Sequence, residues 1–225
     1  PGGGPQEGGR DPHLKSGENQ IYPGNNFNYH LKPFQASIDE GIKVIMPYYG
    51  IPKGQTDEDV AMAFNKYILT ELLRKEMNFS GVICTDWGVI EERHWGVDDL
   101  SISQRYEKSI NAGVDQYGGE DKPEYIIDLV QKQRISEKRI DESVRRILTN
   151  KFELGLFENP FVKESLVSEL VNKKSYIEEG LDAQRKSIVL LSNKDNTLPL
   201  SKDLNIFVDG MSKTEASKFG KIVND

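Results

Sequence analysis

The sequence predicts an α/β fold of parallel strands covered by helices, and three observations carry the prediction. Residues 42–49, 81–85 and 114–117 are short, nearly continuous apolar runs, the pattern of strands buried on both faces. Between them lie segments with apolar residues at helical spacing. The strand–helix unit recurs after about 35 residues, which gives parallel strands with helices outside them. A (β/α)8 barrel and an open doubly wound sheet both satisfy that pattern.

Residues 1–26 are rich in Gly and Pro and nearly free of apolar side chains, a long loop of the kind that is functional or disordered. In residues 28–40, Leu31, Phe34, Gln35 and Ile38 fall at helical spacing, and Gly41 sits where a left-handed residue closes a helix. After the first strand and a loop at 50–55, Thr56 is the expected N-cap of a long helix. Asp59 stands at its third position, and Val60, Phe64, Tyr67, Ile68 and Leu72 trace its apolar face. Residues 78–81 break that helix ahead of the second strand. A polar loop containing Trp95 leads to a helix over 103–112, ended by Gly113, and the third strand follows. Pro123 then stands where a helix's first residue would. Ser136 caps the next helix, with Ile140, Val144, Ile147 and Leu148 on one side and Gly155 as its stop. Beyond it the composition changes. Residues 156–175 read as an extended linker, 176–186 as a helix, and 187–191 and 205–208 as strands. Residues 1–155 thus form one α/β unit, and residues 176–225 the first layer of a second α/β domain, cut short.

The 225 residues carry 29 Lys and Arg against 36 Asp and Glu, a net charge of −7 that speaks against a nucleic-acid partner. No block of five or six basic residues points to a membrane surface. The longest nearly apolar stretch, residues 44–51, is far shorter than the ~20 residues that cross a bilayer. Cys84 is the single cysteine, which excludes an intramolecular disulfide and a Cys-rich zinc site. His13, His30 and His94 are too far apart for a local metal-binding pair. Neither a GxxxxGK[ST] phosphate loop nor a GxGxxG dinucleotide loop occurs. Pro1 is not an initiator methionine and no signal-peptide pattern follows it, so the chain reads as a piece of a longer protein.

The sharpest chemical feature is Asp86-Trp87-Gly88 at the end of the second strand. In a parallel barrel the C-terminal strand ends form the mouth where the site lies. A carboxylate there can act as nucleophile or stabilise an oxocarbenium ion, and an indole offers an apolar platform for a pyranose face. The plainer alternative is that Asp86 caps a turn and Trp87 packs in the core. Gly118-Gly-Glu-Asp121 after the third strand could touch substrate, although a turn into Pro123 also explains it. Asn78-Phe-Ser80 satisfies a glycosylation sequon, and Asn also ends helices.

The segment Phe79-Ser-Gly-Val-Ile-Cys-Thr-Asp-Trp-Gly88 is similar to the nucleophile signature of family 3 glycoside hydrolases. Other segments agree in order: Pro1-Gly-Gly-Gly4, Gly41-Ile-Lys-Val-Ile-Met-Pro-Tyr-Tyr49 with Gly54, and Asn111-Ala-Gly-Val-Asp115. Arg145-Arg-Ile-Leu148 and Lys151-Phe-Glu-Leu-Gly-Leu-Phe157 resemble the helix that closes the family's barrel. Arg185-Lys-Ser-Ile-Val-Leu-Leu-Ser-Asn193 with Leu198-Pro-Leu200 resembles the entry to its second domain. The likeness covers nearly the whole chain.

The resemblance implies the C-terminal part of a (β/α)8 barrel over residues 1–155, a linker at 156–175 and the start of an α/β sandwich domain at 176–225. It implies a retaining, exo-acting β-glycosidase of the β-glucosidase type, with a carbohydrate substrate, no metal, no organic cofactor and a periplasmic or secreted location. Asp86 matches the nucleophile, Trp87 the adjacent pocket aromatic, Tyr49 the pocket tyrosine and Met46 a pocket-lining position. Plain core packing is the competing account of Met46 and Tyr48, and Arg93 is a possible pocket neighbour. The family's usual acid/base is a Glu in the second domain that this chain does not reach. A subset uses an Asp-x-His pair, and Asp11-Pro12-His13 has that form with Pro where the subset has Ser. Two alternatives follow: a β-N-acetylhexosaminidase using Asp11 and His13, and a non-catalytic carbohydrate-binding or assembly fragment. The expected partners are the missing N-terminal barrel half and the rest of the second domain. Without them Val44, Ile45, Val82 and Ile83 are expected to lack partners on one side, and the segment alone should be neither stable nor active.

Overall fold

Strand β4 (Val82–Trp87) is the axis of the first unit in the computed structural model, which describes residues 6–201 and 203–224. On one side it pairs in parallel with β2 (Val44–Ile45), Val44 opposite Val82 and Ile45 opposite Ile83. On the other it pairs in parallel with β5 (Gln116–Gly118), Cys84 opposite Gln116 and Trp87 opposite Gly118, with an irregularity between the two pairs. The sheet order is β2-β4-β5, so three strands are parallel as the βα spacing requires. A separate short parallel pair joins β1 (Asn19–Gln20) to β3 (Ile51–Pro52). The segment at 1–4 that resembles the family lies outside the described residues.

The helices follow from local chemistry. Helix α1 (Phe27–Asp39) ends where Gly41, at φ +83°, donates to Ile38 O and Ile42 donates to Ser37 O. That is the Schellman arrangement, and it needs the left-handed glycine. Helix α2 (Ile102–Ala112) opens with a full capping box: Ser101 Oγ accepts from the Gln104 N–H and Gln104 reaches back to the Ser101 N–H. Helix α3 (Pro123–Gln131) starts on its proline, and α4 (Glu137–Glu153) on Ser136, whose hydroxyl accepts from the Arg139 N–H.

Three expectations are corrected. The run at 42–49 forms a strand only at Val44–Ile45, and Val44 is 41% exposed. Among the described residues β2 has a neighbour on one side only, and Pro47 has no N–H to offer a ladder. Val82 and Ile83, expected to lack partners, are buried, because β4 is flanked on both sides. The long helix from Thr56 does not form either. Asp59 spends its carboxylate on the Gly54 N–H and Lys53, and the Thr56 hydroxyl donates to Glu58 O. The chain instead makes a short 3₁₀ turn (Met62–Phe64) and then a π-helix (Tyr67–Glu76), at whose start Asn65 Oδ1 accepts from the Ile68 N–H. Val60 and Phe64 are buried in a loop core with Tyr49, Val89, Ile90 and Trp95.

The second unit begins at Val162. It holds a short helix α5 (Val167–Leu170), helix α6 (Lys174–Ser187), a parallel pair β6 (Asn205–Ile206) and β7 (Lys221–Ile222), and a short α7 (Lys213–Ala216). The linker at 156–175 is therefore partly helical. The strand expected at 187–191 is absent: α6 runs to Ser187, and Ile188, Val189, Leu190 and Leu191 lie exposed with no ladder among the described residues.

The root of β5 carries the densest polar node of the first unit. The Asp115 side chain has no exposed surface, and Arg74 Nη2 reaches its Oδ2 at 2.5 Å and Arg146 Nη1 its Oδ1 at 2.8 Å. Ser143 Oγ donates to Oδ1 at 2.7 Å, and the Ile83 N–H of β4 donates to Oδ2 at 3.0 Å. Burial lowers the Arg74 pKa to about 10, with Asp115 opposing the shift, so the guanidinium stays charged at neutral pH. Asp115→Ala would strand Arg74, Arg146 and a β4 amide without their acceptor. We expect it to destabilise the intact protein by about 3–5 kcal/mol, read from denaturant unfolding. A loss within error of zero would show that the node is dispensable.

Candidate active site

The C-terminal ends of β4 and β5 and the loop at 6–26 converge on Asp86. The loop has few apolar residues of its own and is held by polar contacts, some within it and some to distant residues. Trp95 Nε1 donates to Pro12 O at 2.8 Å, and Lys15 pairs with Asp98 and Glu18. Gln6 bridges to Gln20. Pro12 is fully buried, which leaves Asp11 and His13 projecting on either side of it.

Those two side chains form a pair. His13 Nδ1 lies 2.6 Å from Asp11 Oδ1, and the His13 backbone N–H donates to the same oxygen at 3.0 Å. The backbone N–H and then the ring hold the Asp11 carboxyl below the ordinary carboxylate range. The arrangement is therefore present above that range and is lost as pH falls through the lowered value. The His13 ring meets Tyr49 edge-on at 4.9 Å between centroids.

Tyr49 is the hub of the mouth. Its side chain is 2% exposed, and its hydroxyl donates to Trp87 O at 2.6 Å. The Arg93 guanidinium lies 5.3 Å from the Tyr49 ring centre, and Arg93 Nη1 also reaches Trp87 O at 3.4 Å. Burial first, and the Asp86 carboxylate beside it next, push the Tyr49 hydroxyl up to about 12. A tyrosine in that state is a hydrogen-bond donor throughout the physiological range.

Asp86 itself is half-buried at the end of β4, where its Oδ1 accepts from the Trp87 N–H at 2.7 Å. The local turn-capping account of Asp86 is thus met by one oxygen. Trp87, expected to be either platform or core, is 63% exposed and is not a core residue. Gly88, at φ +67°, starts the turn in which Glu92 and Arg93 donate to its carbonyl. Glu120 Oε1 accepts from the Ile90 N–H at 2.9 Å and ties that loop to the end of β5.

Of the residues singled out from sequence, Asp86, Trp87, Tyr49, His13 and Asp11 come together. Met46 does not join them. It is half exposed and lines an apolar hollow of about 310 Å³ with Tyr48, Gln20, Phe34 and Leu69, beneath α1 and the π-helix. Of the two tyrosines, Tyr49 makes the contact with Trp87, while Tyr48 accepts from Gln6 Nε2 at 3.1 Å. Arg93 proves to be a full member of the cluster, and Trp95, taken from sequence as a loop residue, is its buried anchor. Among the described residues no group of three or more His, Cys, Asp or Glu is placed to hold a metal ion, and no helix is long and apolar enough to cross a membrane.

Residues 1–150 match the family model described as Glycosyl hydrolase family 3 N terminal domain. The chain is 46% identical over 238 residues to a probable beta-glucosidase C of Aspergillus oryzae, an alignment covering 100% of this chain and 37% of that protein. It is 33% identical to a periplasmic beta-glucosidase/beta-xylosidase of Dickeya chrysanthemi, over 99% of this chain and 38% of that one. Among solved structures it resembles the beta-glucosidase from Listeria innocua in complex with gluconolactone, with a TM-score of 0.68 and 27% identity over 90% of this chain and 27% of that one. The chain therefore spans well under half the length of the curated relatives it matches.

The Tyr49 environment is directly testable. In an ultraviolet difference titration of the wild-type protein against Tyr49→Phe, Tyr49 should ionise near pH 12, and Asp86→Asn should move that step down because one negative neighbour is gone. Ionisation of Tyr49 at the ordinary tyrosine value would contradict this packing.

Proposed function

The chain belongs to glycosyl hydrolase family 3, and on that footing we propose that it supplies the later βα units of the catalytic (β/α)8 barrel of a retaining, exo-acting β-glycosidase of the β-glucosidase type. The observation that carries the proposal is a half-buried carboxylate, Asp86, at the C-terminal end of a parallel strand, next to an exposed indole and a buried tyrosine.

The chemistry follows from that placement. Asp86 attacks the anomeric carbon of a terminal β-linked sugar and displaces the aglycone oxygen, giving a glycosyl ester. A proton donor outside this chain, a Glu of the second domain, protonates the leaving oxygen. The same group then takes a proton from water, which attacks the anomeric carbon and releases Asp86. For retention the two carboxyl groups stand roughly 5–5.5 Å apart in the assembled site. Tyr49, fixed as a neutral donor, sets the position of the Trp87 backbone and hence of the indole that faces the sugar. The names of the relatives support a β-glucosidase, and the periplasmic relatives support a periplasmic or secreted location. The open edges of β2 and β5 among the described residues are the places where the remaining barrel strands add.

A second reading rests on the Asp11–His13 pair, whose geometry would let His13 Nε2 donate a proton to a leaving oxygen while Asp11 orients the ring. The relatives' names lend nothing to the hexosaminidase that this dyad would serve. In the leading reading His13 holds the Tyr49 ring and takes no part in proton transfer.

One experiment on the intact enzyme tests the nucleophile common to both readings, and a second separates the readings. Asp86→Ala should lower kcat by several orders of magnitude while leaving the fold in place, and a 2-deoxy-2-fluoro glucoside should label Asp86; labelling of another carboxylate would overturn the assignment. His13→Ala should lower kcat/KM modestly and keep both limbs of the pH–rate profile. A drop of about a thousandfold that is rescued by a leaving group needing no protonation would transfer the acid role to His13.

A further inference from the structure

The glycine pair at the end of β5 does more than turn the chain into α3. A Cβ built on Gly118 would lie 2.9 Å from Trp87 Cε3 and 3.1 Å from Cζ3, against the six-membered ring. One built on Gly119 would lie 2.2 Å from Cδ1, 2.8 Å from Cγ and 2.9 Å from Nε1, against the five-membered ring. Both rings of the indole therefore rest on bare α-carbons; at Gly118 the strand backbone crowds the position as well, with Thr85 O 2.6 Å from the added Cβ, whereas at Gly119 the three nearest atoms all belong to Trp87. The residue nevertheless keeps most of its surface open. The bed is itself held from below: the Gly118 N–H donates to the buried Thr85 Oγ1 at 3.0 Å, one residue before Asp86, and Trp87 stands opposite Gly118 in the strand register.

We infer that Gly118 and Gly119 are positioning residues for Trp87, a flat backbone bed that sets the height and tilt of the indole beside Asp86. The inference rests on the reading of Trp87 as the platform for the substrate's pyranose face. Its physical content is steric. Any side chain at 119 pushes the indole away from β5, which changes the gap between the ring and the carboxylate that a bound sugar occupies. Gly119 also sits at φ +69°, so a substitution there carries a backbone cost that is independent of Trp87. The two contributions can be separated, because the three atoms nearest the added Cβ all belong to Trp87.

The test is a double-mutant cycle in the intact enzyme with an aryl β-glucoside as substrate. Gly119→Ala should raise KM about tenfold with a smaller change in kcat, and Trp87→Ala should raise KM by itself. In the Trp87→Ala background, adding Gly119→Ala should change KM less than about twofold, and most of its effect on the thermal midpoint should vanish. An equal penalty for Gly119→Ala in both backgrounds, in KM and in midpoint, would overturn the bed. Should Gly119→Ala fail to fold alone, folding of the double variant supports the bed, and failure of both overturns it. The platform reading is judged separately: an unchanged KM in Trp87→Ala would refute it, whereas loss of the midpoint coupling would refute the bed.

Discussion

One buried carboxylate organises the first unit. Asp115 accepts from the backbone of β4, from the π-helix through Arg74 and from α4 through Ser143 and Arg146, while it stands at the root of β5. Arg139 adds to the same knot. It donates to Ile110 O and Val114 O, carbonyls at the end of α2 and just beyond it, and to Ser143. A charge of this kind is stabilising only when each of its lone pairs is met, and here four donors from three elements meet them. The relative placement of β4 and β5, and so of everything at their far ends, depends on this knot.

The mouth is organised differently. Among the described residues it has no charge cluster as buried as the one at Asp115, and it is built by packing around two rings. Trp95 is buried, and through Pro12 it fixes a glycine-rich loop that has little apolar surface of its own. Tyr49 lies between His13 and Arg93 and bonds to the carbonyl of Trp87. The loop, the strand end and the turn after it thereby share a single side chain, and this couples the position of the Asp11–His13 pair to that of Trp87.

Much of this was legible in the sequence where the cause is local. Ser136, Pro123, Gly41, Gly113 and Gly155 mark helix ends because a cap acts within four residues of itself, and the structure places ends at each of them. The position of Asp86 and Trp87 was legible because a short apolar run followed by Asp-Trp-Gly fixes which end of the strand they occupy. The rest depends on partners far away in sequence. Thr56 has the form of a cap, but its hydroxyl and Asp59 were claimed by other groups. Residues 187–191 have strand composition but pair with no strand among the described residues. The bond from Arg74 to Asp115 spans 41 residues and that from Tyr49 to Trp87 spans 38. No local pattern announces such bonds, and the same holds for the indole lying on Gly118 and Gly119.

The two ends of β4 have divided duties. Its start is locked by the knot at Asp115, and Asp86 stands three residues beyond Ile83, about 10 Å along the strand at roughly 3.3 Å per residue. The carboxylate is thus aimed by the backbone that carries it, and the one oxygen bonded to the Trp87 N–H needs no other side chain. The side chains that hold the start of the strand at Asp115 and those that gather around Tyr49 and Trp87 at its far end are separate sets. A scaffold divided in this way is evolvable: side chains can be selected anew at one end while the other keeps Asp86 where it was.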